Sequence, residues 1–307
     1  YLANNGEQHE SQWSNEFQAN ITNQWFNVTA GLYYFSSWLR TGGHGNGLTT
    51  SFQIAPGGVI VDTPVPPSIY KAKSLAAYAQ ATFHLTDRFD LVGGLRITKD
   101  TKNGVDTTSY LSVGSQSFNY RDSRPTWLAG LNFQASPNVL AYVKANTGYI
   151  SGGRIGGLSY QPETVRSYEG GVKADMLDHK LRTNLAIFYA KYNNLQFTTL
   201  SQDGGLGYSN AGKSRAWGGE FEATYIPVKG LTLQANAGYT NFKYTEIDFS
   251  AIGAYGASED NFYPADRPKV TASGVIQYES DPLGIGRLLF RLEGNYRTKY
   301  YHSVTVA

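Results

Sequence analysis

The fold class predicted by this sequence is all-β: a transmembrane antiparallel β-barrel joined as an up-and-down meander. Three observations predict it. Apolar and polar residues alternate with period two over twelve separate stretches, the mark of strands with two different faces. The connections between those stretches alternate short and long. The longest apolar run, Leu185-Ala-Ile-Phe-Tyr-Ala190, is far short of the roughly 18 residues a membrane helix needs.

Composition agrees with strands and turns. The 307 residues include 23 Tyr, 15 Phe, 5 Trp and 34 Gly, with only 16% charged, and aromatics and glycines suit a β-rich chain with many turns. Mean hydropathy is -0.37, so the chain as a whole is not greasy. Disorder is disfavoured because disordered chains lack aromatics and carry high net charge. A net charge of +2 gives no electrostatic argument for nucleic acid. With no cysteine there is no disulfide framework, no thiolate metal site and no cysteine nucleophile. The chain opens at Tyr1 without a start methionine or an apolar leader, and closes at Ala307 without an obvious finish. It is therefore expected to be a piece of a longer chain.

The strands are expected, in order, at 16–21, 25–36, 74–85, 89–99, 126–135, 139–149, 167–176, 181–193, 219–225, 231–239, 269–278 and 288–297. Two segments illustrate the pattern. In 231–239 the odd positions read Leu, Leu, Ala, Ala, Tyr against Thr, Gln, Asn, Gly. In 219–225, Phe221, Ala223 and Tyr225 oppose Glu220, Glu222 and Thr224. Short turns fall at 22–24, 86–88, 136–138, 177–180, 227–230 and 280–286. Long polar loops are expected at 37–73, 100–125, 150–166, 194–218 and 247–268. Compact soluble domains seldom contain one structureless connection beyond about 15 residues. Five on one side of a meander describe a barrel with short turns on one membrane side and long loops on the other.

The physical reason is backbone satisfaction. Lipid offers no hydrogen-bond partner, so a spanning sheet pairs its strands, turns one face to lipid and lines a lumen with the other. Aromatic girdles are expected at both interfaces. Trp25, Phe83, Phe89, Phe133 and Tyr225 would form the one near the turns. Tyr33, Phe35, Trp38, Tyr149, Tyr239, Tyr244, Tyr296 and Tyr300 would form the one near the loops.

Particular stretches resemble a known family. Pro162-Glu-Thr-Val-Arg-Ser-Tyr-Glu-Gly-Gly-Val-Lys173, then Leu181-Arg-Thr-Asn-Leu-Ala-Ile-Phe-Tyr189 and Tyr192-Asn-Asn-Leu-Gln196, are similar to the barrel region of TonB-dependent outer-membrane receptors. Asn210-Ala-Gly-Lys-Ser214, Gly219-Glu-Phe-Glu222 and Pro227-Val-Lys-Gly-Leu231 follow in the family's order, after Ala30-Gly-Leu-Tyr-Tyr34, Leu85-Thr-Asp-Arg-Phe-Asp90 and Gly94-Leu-Arg96 upstream. The resemblance implies that residues 1–307 are part of a barrel of about 22 strands, some twelve of them present. The family's plug domain, its TonB-binding segment and the last strands would lie outside this chain. It further implies a Gram-negative outer-membrane location and uptake of a scarce nutrient such as a ferric siderophore. Its partners would be lipid, the extracellular ligand, the protein's own plug and the TonB–ExbB–ExbD complex. Cobalamin or a saccharide as ligand, or a passive porin-like barrel, are the alternatives. An open sheet leaves two unpaired edges in lipid, so the fragment alone is not expected to insert and transport.

No enzyme chemistry stands out, and no cofactor or metal is expected. Glu220 and Glu222 sit on one strand, so they would share one side of any substrate instead of flanking a glycosidic bond. The five histidines lack zinc-site spacing. The Gly152–Gly157 cluster lacks the Lys-Ser/Thr ending of a phosphate loop and is expected to serve loop flexibility. Charges expected on the lumen face are Arg96, Lys144, Glu169, Lys173, Arg182, Glu220, Glu222, Arg291 and Glu293, whose mixed signs suit contact with a plug. For ligand capture the outer-loop candidates are Arg40, His44, Tyr120, Arg121, Arg154, Tyr160 and Tyr208, combining aromatic surface with guanidinium forks.

Overall fold

The computed structural model describes residues 2–5, 7–42, 48–53, 60–65, 67–108, 114–200, 206–249, 262–302 and 305–306. Twelve long strands form one antiparallel sheet in chain order. They are β1 (Glu7–Thr22), β2 (Phe26–Gly42), β3 (Ser68–His84), β4 (Phe89–Thr108), β5 (Gly114–Ser136) and β6 (Val139–Ile150). The sheet continues through β7 (Glu163–Met176), β8 (Leu181–Asn193), β9 (Gly212–Tyr225), β10 (Leu231–Ile247), β11 (Val270–Glu279) and β12 (Leu289–Arg297). β1 and β12 are its two edges. All twelve expected strands are present.

Register carries the period-two pattern across the sheet, with shifts only at Gln134/Ser136 and Lys213/Ser214, near strand ends. Phe17 pairs with Leu32, Leu32 with Ala77, Ala77 with Ile97, and Leu95 with Trp127. Further on, Gly170 pairs with Ile187, Leu185 with Phe221, Ala237 with Ala272, and Ile276 with Leu292. Side chains directly opposite on paired strands share a face, so these residues make one continuous apolar face. Its large side chains are exposed, Phe17 to 71% and Ile187 to 65%, as lipid-facing residues must be when no soluble core covers them. On β7 the apolar face runs from Tyr168 to Met176, about 27 Å along the strand at ~3.4 Å per residue.

Local side chains close the short turns. Asn23 Oδ1 accepts from the amides of Trp25 and Phe26 at 2.8 and 2.9 Å. Thr86 Oγ1 does the same for Arg88 and Phe89. These Asx- and Ser/Thr-type turns bond the chain to itself where ladder partners end. At 177–180 the three residues Leu177, Asp178 and His179 adopt positive φ, and Gly230 (φ 83°) takes the left-handed position after Lys229.

The long-loop side differs from expectation in two respects. Much of the expected loop at 100–125 is strand: β4 and β5 run 20 and 23 residues, well beyond the 9–11 that span a membrane, and stay paired from Phe89↔Phe133 to Thr108↔Gly114. The other connections carry small hairpins, Gly153–Ile155 with Leu158–Tyr160 and Gln196–Leu200 with Leu206–Asn210. A three-stranded sheet of Leu2–Asn5, Leu48–Gln53 and Ile60–Val65 stands over the β1–β3 side. Outside lipid, water can satisfy exposed edges, so pairing continues without closure. The second difference is in the aromatics. Trp38, Tyr239 and Tyr296 lie on the apolar face as a girdle requires, but Tyr33, Phe35 and Tyr244 fall on the polar face by register. Tyr149 donates to Asp100, which is also on the polar side. Trp13, Tyr34, Tyr168, Tyr189 and Trp217 take the interfacial places instead.

Candidate functional site

On the polar face the side chains pair by register into clusters. Arg96 lies over the rings of Tyr33 and Tyr78, 5.4 and 5.7 Å from their centroids, and its Nε donates to Thr98. Tyr78 donates to Glu16 at 2.5 Å. Glu169 receives Lys144 Nζ at 2.9 Å and the Tyr142 hydroxyl at 2.6 Å, with Lys173 over the same tyrosine ring. Arg182 grips Asp175 through two nitrogens at 2.7 and 3.2 Å. Arg291 bonds Glu293 and Gln277 from the neighbouring strand. Glu222 accepts from Asn184 at 3.1 Å. Glu220 faces Ala186 and Gly238 across the ladder and has no ion-pair partner among the described residues. It stands with Glu222 in a polar groove of 690 Å3 that Asn236, Ser273 and Asn295 also line. All nine charges expected inside thus share the face opposite the apolar one.

At the loop end two clamps hold the small hairpins over this face. The first centres on Asp106, whose side chain is 1% exposed. It accepts from the Tyr70 hydroxyl, from Gly156 N at 3.2 Å and from Gly157 N at 2.7 Å, and lies 3.5 Å from Arg154 Nε. Gly156 and Gly157 have φ of 58° and 82°, where a side chain would be strained, so successive amides turn onto one carboxylate. The glycine run thus turns two of its amides onto the Asp106 carboxylate. Burial, then the bond to Asp106, pushes the Tyr70 phenol above its ordinary range. Beside the clamp, Tyr120 accepts from Gly152 N and donates to Asp122, and burial pushes its phenol up to about 12.

The second clamp is apolar. Leu195, Phe197, Ala211 and Phe262 are buried together, with Tyr192, Tyr244, Ile247 and Phe249 packed against them. Phe197 meets Tyr244 and Phe262 at 5.6 and 6.2 Å, and Arg267 sits 4.2 Å over Phe242 alongside. A polar tie joins the two clamps. Asn210 Nδ2 donates to Gln161 O and Asn194 O at 2.9 and 2.8 Å, Gln196 N donates to Glu163, and Tyr160 meets Tyr208 edge-on at 5.3 Å.

Four of the ligand-capture candidates are therefore brought together: Tyr120, Arg154, Tyr160 and Tyr208. Arg154 is committed to Asp106, Ser159 and Gln116, and Tyr160 is buried. Arg40 and Arg121 lie on the other side of the sheet, on the faces of Trp38 and Trp127. His44 lies outside the described residues. Asp106, Tyr70, Asp100 and Phe197 were not singled out from sequence. A lone carboxylate among tyrosines and glycines gives no motif when its partners lie up to 51 residues away.

A family model described as "TonB dependent receptor-like, beta-barrel" matches residues 1–306. The pesticin receptor of Yersinia enterocolitica is 29% identical over 239 residues, covering 75% of this chain and 34% of that protein. The ferric-pyoverdine M114 receptor PbuA of Pseudomonas sp. strain M114 is 28% identical over 233 residues, covering 74% and 28%. The ferric yersiniabactin uptake receptor FyuA from Yersinia pestis shares the fold, with TM-score 0.78 at 22% identity over 98% of this chain and 45% of that one. The chain thus spans about a third of the length of the curated relatives it matches.

Proposed function

The chain belongs to the TonB-dependent receptor β-barrel family, and on that premise we propose that it is the central wall of a Gram-negative outer-membrane receptor importing a ferric siderophore. The observation that carries the reading is the sorting of one sheet into an exposed apolar face and a face of mixed charges. Charges at membrane depth are costly unless they meet water or protein. In this reading Arg96, Lys144, Glu169, Lys173, Arg182, Glu220, Glu222, Arg291 and Glu293 contact a plug domain encoded elsewhere in the full-length protein. The remaining strands close the barrel, and TonB–ExbB–ExbD supplies energy from the inner membrane. The loop end receives the ligand, with the half-buried Tyr120 and Tyr208 as its aromatic surface. The named relatives support an iron chelate as the ligand: a ferric-pyoverdine receptor and a ferric yersiniabactin uptake receptor stand among them.

The test is radiolabelled iron uptake by a siderophore-negative host carrying the full-length gene. Uptake of one ferric chelate that stops when the proton gradient is collapsed is expected. Uptake indifferent to that gradient would replace the receptor with a passive pore. Gene-dependent uptake of cobalamin or a saccharide, with no iron chelate transported, would replace the ligand.

A further inference from the structure

On the loop side the sheet is stepped. β1 to β5 stay paired far beyond the membrane span, β4 with β5 as far as Thr108↔Gly114. The ladder between β5 and β6 stops much lower, at Leu128↔Asn146. Trp127 marks the fork, because its amide still donates across to β6, but to the Thr147 side chain at 3.0 Å. Pro125, two residues on, has no amide to offer β6 at all. Above it β5 is paired on one side only.

Two bonds fix where its free groups point. Trp127 N is turned to β6, whereas Gln134 N is turned the other way, to Arg88 O at 2.7 Å beside β4. Alternate residues of a strand present their N–H and C=O to the same side, and the β4–β5 register is unbroken from Phe133 to Gly114. Ser117, Asn119, Arg121 and Ser123 therefore aim amides and carbonyls away from β4. Pro125 belongs to the same set, so its missing N–H takes nothing from the β4 ladder and falls where proline is tolerated, on an open edge. Among the described residues no backbone group meets this edge between 117 and 123. The 153–160 hairpin braces β5 through the even-numbered side chains, Arg154 to Gln116 and Gly152 N to Tyr120.

Four donors about 7 Å apart, held straight by β4 and the hairpin, form a template for one more strand. We propose that this edge is a β-augmentation site for an extended acidic segment of an extracellular protein. The segment takes the place that β6 leaves and runs antiparallel to β5. Main-chain bonds supply the affinity, and the braced edge loses little freedom on binding. Arg121 sets the acidic preference. It is exposed, stands about 20 Å beyond Trp127 along the strand, and has no ion pair among the described residues. Side chains of the segment's other face lie beside Phe118 and Tyr120. The site goes beyond nutrient uptake and takes from the reading above only that the loop side faces outward.

The test uses the full-length receptor in mild detergent and a fluorescent nonapeptide of alternating threonine and valine with a central glutamate. Anisotropy reads binding, and amide hydrogen exchange locates it. Saturable binding that slows exchange at 117–123 is expected. N-methylation of the four central peptide amides should weaken it at least about tenfold. Lysine in place of the glutamate should weaken it about threefold, a preference that Arg121→Gln abolishes. Asn119→Pro removes one free donor and no β4 bond, and should weaken binding about fivefold, whereas Asn119→Ala retains it. Slow exchange at 117–123 without peptide, no saturable binding, or undiminished binding after N-methylation or Asn119→Pro would each overturn the site. Equal binding of the lysine peptide would overturn the acidic partner. Should Asn119→Pro fail to assemble, the N-methylated peptide on the parent decides. Iron uptake by the parent separates the two proposals. Uptake indifferent to the proton gradient defeats the transport reading, whereas a transporting receptor that binds no peptide defeats the edge site alone.

Discussion

The two loop-end clamps do the same work with opposite chemistry. Around Asp106 a buried carboxylate gathers a phenol, two amides and a guanidinium. Around Phe197 and Phe262 only apolar and aromatic surface meets. The difference lies in how each fails. A buried charge network fails steeply, since removing its centre takes one acceptor from several donors at once. An apolar cluster loses stability in proportion to the volume removed and can partly collapse.

Breaking the polar clamp should have the largest effect. Asp106→Ala removes the acceptor of the Gly156 and Gly157 amides and the carboxylate beside Arg154 Nε, while Arg154 keeps Ser159 and Gln116, and should weaken closure of the 153–160 hairpin by about 3–5 kcal/mol. Amide hydrogen exchange in the full-length receptor would read this as a local acceleration at Gly153–Tyr160. Loss of protection no greater at that hairpin than at 196–210 would mean that the clamps act as one unit. Phe197→Leu keeps most of the volume and should cost about 1–1.5 kcal/mol, read at Gln196–Asn210; a loss as large as that of Asp106→Ala would erase the contrast. Tyr70→Phe removes one bond to the carboxylate and should cost about 1 kcal/mol.

The same tyrosine gives the polar clamp a pH dependence that the apolar one lacks. The folded phenol is raised above its ordinary 10.0, so the closed state holds the proton more tightly than the open one. That contribution is complete below pH 10.0 and falls away as pH rises toward the folded value. Protection at 153–160 should therefore decline above this pH in the parent and stay flatter in Tyr70→Phe. The smallest effect concerns the tie. Removing Asn210 with Ala should leave each clamp closed while abolishing a coupling of about 0.5 kcal/mol, measured by a double-mutant cycle with Asp106→Ala and Phe197→Leu. A cycle that closes to zero with Asn210 intact would show that the clamps are independent.

The strands and the placement of Glu169 or Arg291 were legible because one rule, alternation, covers them. Each was counted from an apolar neighbour on its own strand. Arg40 and Arg121 could have been placed by the same count, Arg121 being six residues from Trp127. Alternation continues through much of 100–125 because the strands themselves do. Tyr33 and Phe35 face inward because their odd positions beside Leu32 and Tyr34, and not their aromatic identity, set the face.

By itself, then, the sequence determined the repeated two-faced strand, the order of the twelve strands and which side carries the long connections, because each of these is set by neighbours one to three residues apart. Tertiary structure decided what depends on partners far along the chain. It turned a glycine run into the cradle of Asp106 and closed an aromatic core from Phe197 and Phe262. No local pattern marks these residues, because their partners stand tens of residues away in sequence.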